Sequence, residues 1–86
     1  MSSKPISDRL KELGIELPAT ASPAAAYVMA VTTGSTVFVS GHIAKHAGKP
    51  WVGKLGLDMD TVSGKAAARS IAIDLMATLQ SHLGSL

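Results

Sequence analysis

This sequence has no cysteine. Disulfide staples, cysteine-based metal sites and thiol catalysis are therefore excluded, and the composition fits a reducing compartment. Aromatic side chains are almost as scarce, with one Trp, one Tyr and one Phe. A core must be built from Ala, Val, Leu, Ile and Met. Long hydrophobic runs are missing too. The longest, Ala24 to Val31, is far short of a membrane span. The start, MSSKPISDRLKELG, is too polar for a secretory signal, so a cytoplasmic location is expected. Charge of one sign is not concentrated anywhere. The formal net charge is +2, with eight basic residues interleaved with six acidic ones. A nucleic-acid binder is expected to show a basic stripe with aromatic partners, so nucleic acid is not an expected ligand.

What remains fits one domain. The chain has 86 residues and is 47% apolar, and a chain this short buries only roughly 60–65% of its unfolded surface. Residues 1–26 are expected to form a short helix and a connector, 27–41 a hairpin, 42–59 a loop and 60–84 a long helix. Ser3 to Gly14 places Ile6, Leu10 and Leu13 on one helical face, with Pro5 in the first turn and Gly14 as a left-handed cap. Leu17 to Ala26, LPATASPAAA, is a small-residue connector.

The stretch from Tyr27 to Gly41, YVMAVTTGSTVFVSG, organises the rest. Its β-branched and aromatic residues fall in two short runs, as half-buried pleated positions prefer. Thr33-Gly34-Ser35 separates them, and Gly34 supplies the positive φ of a tight turn. The second run ends in Ser40-Gly41-His42, where side-chain bulk disappears just as polar groups arrive. Beyond it, Pro50-Trp51-Val52 reads as a short third strand or an extended segment, with Trp51 anchoring its loop. Asp60 is a good N-cap for a helix whose Ile71, Ala72, Leu75, Met76, Leu79 and Leu83 form a wide apolar face, and Gly84 stops it.

No catalytic motif is complete. Gly48 to Lys54 fits GxxxxGK, but Leu55 stands where a phosphate loop needs Ser or Thr, and Pro50 removes an amide from the cradle. It reads as a glycine-rich turn. His42 and His46 are four apart without a third ligand at metal spacing, and His82 is far along the chain. Asp58 and Asp60 lack the other ligands of a calcium loop. Ser40 lacks the context of a nucleophilic serine. No metal or cofactor is expected. The candidate site is a strand end with Ser40, Gly41 and His42, and Tyr27 one strand earlier.

Taken in order, Tyr27, VMAVTTG, TVFVSGHIA and KAAARSIAIDLMATLQSHLGSL resemble the RidA/YjgF (endoribonuclease L-PSP) family, with His42 in place of a usual Gln. ISDRLKELGIELP and the GKLG loop look like a longer branch of that family. The resemblance implies an α+β, chorismate-mutase-like fold, present here as its N-terminal half: short helix, hairpin, short third strand and one long helix packed on the sheet. It implies a homotrimer joined through sheet edges, with sites in the clefts between subunits. It also implies hydrolysis of 2-aminoacrylate-type enamines or imines to 2-keto acids. Tyr27, Ser40, Gly41 and His42 would line the substrate cleft, whose occupant would be a small carboxylate-bearing imine. The family's carboxylate-binding Arg and late acidic residue have no counterpart, so the chain is expected to be incomplete as a catalyst. The alternative expectation is a non-catalytic trimeric module that binds a small ligand or another protein.

Overall fold

In the computed structural model, residues 5–20 and 28–86 are described, and every structural statement below concerns these. Tyr27 and the part of the connector at 21–26 lie outside them. The order of elements is α1 (Ile6–Glu12), β1 (Ala30–Thr33), β2 (Thr36–Val39), β3 (Lys45–His46), β4 (Lys49–Pro50) and α2 (Thr61–Leu83). The chain is thus a small α+β protein with two helices and two separate antiparallel hairpins.

Helix α1 starts at Pro5, which serves as N-cap without a side-chain bond. Gly14 adopts φ 70°. That conformation lets the Ile15 amide donate to the Leu10 carbonyl at 2.9 Å and the Gly14 amide to Lys11 at 3.1 Å, the paired bonds of a Schellman ending. One turn past its start the helix buries a single side chain, Leu10.

The first hairpin pairs Ala30 with Val39, Val31 with Phe38, Thr32 with Val37 and Thr33 with Thr36. Strand alternation puts Ala30, Val37 and Val39 on the half-buried face that meets α2, and Val31 and Phe38 on the exposed one. The second hairpin corrects the expectation of a lone third strand at Pro50-Trp51-Val52. Ala47 and Gly48, with φ of 53° and 79°, close a two-residue turn between β3 and β4. The Trp51 amide donates to the Ala44 carbonyl at 2.8 Å, which extends the β3–β4 pairing by one position, and residues 51–54 then run outside any strand. The GxxxxGK stretch is this hairpin and the loop after it.

Helix α2 is capped at both ends. The Asp60 carboxylate accepts the Ser63 amide at 2.8 Å, and Gly84, at φ 88°, donates to the Gln80 carbonyl. Its buried side differs from the expected apolar face. Ala67, Ala77 and Thr78 are buried, whereas Ile71, Leu75, Met76 and Leu79 are half-covered and Ala72 and Leu83 exposed. At ~100° per residue the buried line lies roughly a third of a turn from the bulky aliphatic one. A two-stranded hairpin is narrow, and small side chains let the helix axis come close to it.

The resulting layer is thin, with extents of 44 × 35 × 21 Å. Its radius of gyration is 14.8 Å, where a compact chain of this length has roughly 12 Å. The buried set is Leu10, Ala44, Ala67, Ala77 and Thr78, and no side chain is fully enclosed.

Candidate functional site

The strand end singled out in the sequence meets the C-terminal half of α2, and polar side chains hold the two together. Ser40 continues the β1–β2 ladder, its amide donating to the Met29 carbonyl at 2.8 Å. Its hydroxyl donates to the Val28 carbonyl at 2.5 Å. Gly41 is exposed, and a Cβ built there would meet no atom within 4 Å. His42 is half-buried. Its Nδ1 lies 2.7 Å from the Ser40 carbonyl oxygen and its Nε2 2.7 Å from the Thr78 hydroxyl. A carbonyl can only accept, so Nδ1 carries the proton, and in the neutral ring Nε2 accepts from Thr78.

A second bond of the same kind runs the other way. His82, on α2, places Nε2 2.6 Å from the hydroxyl of Thr32 in β1. Thr78 and His82 are four apart and share a helical face. The helix is therefore clasped to the hairpin twice, once by a histidine just past β2 on a helix threonine and once by a helix histidine on a strand threonine. Sequence reasoning set His82 aside for its distance along the chain. The available signal was the Thr78/His82 spacing, which aligns two hydrogen-bonding side chains with Ile71 and Leu75 at the edge of the apolar face.

Between the clasps lies a cleft of about 390 Å³ lined by Thr20, Met29, Ala30, Thr78, Ser81 and His82. Among the described residues its side-chain polar groups are hydroxyls and one imidazole, with no Lys, Arg or carboxylate. It also adjoins the last turn of α2, whose free carbonyls disfavour an anion. Chemically it can offer hydrogen bonds to a small neutral guest. Among the described residues no three His, Asp or Glu side chains gather as a metal site. No helix there is long and apolar enough to cross a membrane.

Fold and site thus define a small α+β layer with a hydrogen-bonded helix–hairpin joint. No family model matches the chain. Among curated proteins it is similar to Protein TCP17 of Trypanosoma cruzi, at 38% identity over 87 residues, covering 100% of this chain and 54% of that protein. The chain spans about half the length of this relative. No solved structure matches, so the chorismate-mutase-like arrangement finds no structural neighbour. These findings correct the RidA/YjgF assignment: no model of that family matches, and the curated relative bears another name. The physical reason lies in the motif. A β-branched run ending in Ser-Gly, with a Gly turn before it and a capped helix after it, is what any hairpin–helix unit needs.

Proposed function

We propose that this chain is a non-catalytic protein-interaction module, a thin α+β layer completed by another polypeptide. One observation carries the reading. The chain exposes 6492 Å², where a folded monomer of 8.8 kDa exposes roughly 4,800 Å². The excess, roughly 1,700 Å², is about twice what one partner contributes to a standard interface. Much of it is apolar, including Phe38 and Val31 on the outer hairpin face.

Turnover is the weaker reading on chemical grounds. Ser40 spends its hydroxyl proton on Val28, and both nitrogens of His42 are engaged. The strand end therefore offers no poised base or nucleophile for imine hydrolysis. Among the described residues lining the adjoining cleft there is no cation for a carboxylate. Three copies joined at sheet edges are one form that completion by another polypeptide can take.

The test combines circular dichroism, binding of an apolar-surface dye and sedimentation over a range of concentrations. The chain is expected to be helical, to bind the dye, and to release it when a polypeptide covers the surface. A folded monomer that ignores the dye at every concentration refutes the proposal.

A further inference from the structure

The apolar surface is not spread evenly. The highest exposures of large aliphatic side chains fall in one stretch: Val52 at 79%, Val62 at 78%, Leu57 at 77% and Leu55 at 66%. This stretch borders a groove of about 400 Å³ between the Trp51–Met59 loop and the N-terminal half of α2, lined among others by Trp51, Leu55, Met59, Gly64, Ala67 and Ile71. The groove is a built feature. The amides of Leu57, Asp58 and Met59 converge on the Lys54 carbonyl at 3.0–3.2 Å, and the Asp58 carboxylate accepts the Lys54 amide. Leu55 lies so close to Gly64 that a Cβ there would come within 2.8 Å of it. Trp51 is braced by His46, ring centroids 4.6 Å apart. Val52, Leu55 and Leu57 are thus presented by a hydrogen-bonded loop, which lowers the ordering cost of binding, while Val62 lies on the first turn of α2.

Cations outnumber carboxylates around the groove. Lys54, Lys65 and Arg69 adjoin lining residues in the chain, Lys49 shares the hairpin face of Ala44 and Trp51, and Lys45 lies on the other face; all five are exposed. At ~100° per residue, Lys65 and Arg69 flank one edge of the Gly64–Ala67–Ala68–Ile71 arc. None of the five makes an ion pair among the described residues. The two carboxylates of the stretch, Asp58 and Asp60, are held by backbone amides in the loop and the helix cap.

We propose that this groove seats an acidic amphipathic segment of a partner protein, its apolar side chains against Trp51, Leu55 and Ile71 and its carboxylates against the surrounding cations. The proposal rests on the interaction-module reading and names the partner's chemistry. The aliphatic lining favours a polypeptide over nucleic acid, whose backbone would gain nothing from Val52 and Leu55.

The test uses three probes without aromatic side chains: a Leu/Glu amphipathic peptide, its Lys-for-Glu counterpart, and a thymidine oligonucleotide. Trp51 fluorescence and amide chemical shifts report binding. The Glu peptide is expected to bind at least about tenfold more tightly than the Lys peptide at low salt and to weaken several-fold at high salt. Reversing Lys54, Lys65 and Arg69 to Glu together should invert that preference. Val52→Ser with Leu57→Ser should weaken the Glu peptide while leaving helix content unchanged. Equal binding of both peptides, tighter binding of the oligonucleotide, or a concentration-dependent Trp51 change without peptide (a second copy in the groove) overturns the proposal. If the Glu peptide fails while dye binding or association persists on another face, this inference falls and the interaction module stands. If neither dye nor peptide binds a folded monomer, both fall.

Discussion

Replacing Thr78 by Val isolates the bond that ties the strand end to the long helix. Thr78 is 5% exposed and its hydroxyl meets His42 at 2.7 Å. Valine keeps the shape and the β-branching, so helix propensity and packing change little. The lost hydrogen bond contributes about 0.5–1.5 kcal/mol, and a buried group left unpaired costs about 1–3 kcal/mol. His42 is only half-buried, so water can reach Nε2, which places the expected loss at about 1–2 kcal/mol. Thr78→Ser makes the opposite change: it keeps the hydroxyl and loses one methyl, about 0.8 kcal/mol plus a small cavity. Urea unfolding with a slope of about 1 kcal/mol per molar should therefore show a midpoint drop of about 1–2 M for the Val variant. A cycle with His42→Leu should return a coupling of about 1 kcal/mol. Imidazole nitrogen shifts should report the Nδ1–H tautomer of His42. If Thr78→Val is as stable as the parent while Thr78→Ser is not, Thr78 acts by packing alone and the clasp carries no energy.

Three further outcomes are expected. The Asp60 carboxyl titrates below its usual value because the Ser63 amide, and then the Ser63 side chain, bond its charged form. Its stabilising effect is therefore full above the unfolded-state value and is lost as pH falls through the lowered one; Asp60→Asn should flatten that acid limb of helix melting. Ala77→Leu should destabilise by about 1–3 kcal/mol in thermal unfolding, because a buried small residue sets how closely α2 approaches its neighbours; no loss would mean that the contact is loose. Phe38→Ser should leave unfolding within about 0.5 kcal/mol of the parent, since the ring is already 60% exposed, and should reduce dye binding; a large stability loss would mean that the outer hairpin face is covered within the chain.

The first hairpin and α2 were legible because their signals are local. Gly34 between two β-branched runs, and Asp60 and Gly84 bracketing a Pro-free stretch, are read without knowing what packs where. The second hairpin was not legible. Its strands are two residues each, too short for alternation, and its turn puts Ala47 at a positive φ that alanine seldom takes. The buried side of α2 was misread for a different reason. Periodicity marks where bulky aliphatic residues lie, but the neighbours in this fold are narrow hairpins that select small residues, Ala67, Ala77 and Thr78. Of the candidate site, Ser40, Gly41 and His42 were found as a polar break after a strand. Thr78, the partner of His42, and the Thr32–His82 pair were not, because contacts 36 and 50 residues apart leave no trace in local pattern. Tyr27 lies outside the described residues.

The two halves of α2 carry different physics, and that difference is measurable. The C-terminal half is fastened to β1 and β2 by His42–Thr78 and Thr32–His82. The N-terminal half borders the Trp51–Met59 loop, and Gly64 lets Leu55 approach it. Arg69 and Thr78 are nine residues apart, roughly 13 Å along the axis at ~1.5 Å per residue. Sites at that separation with no shared partner contribute independently, within about 0.5 kcal/mol. Thr78→Val combined with Lys65→Glu and Arg69→Glu should therefore lose stability as Thr78→Val alone does, and lose affinity for the Glu peptide as the charge reversals alone do. Additivity would place recognition on the groove and leave the clasps as scaffold. A combined variant that loses peptide affinity several-fold beyond the charge reversals would refute that division. It would mean that the clasps fix the helix position on which the groove depends, making the hydrogen-bonded joint part of recognition.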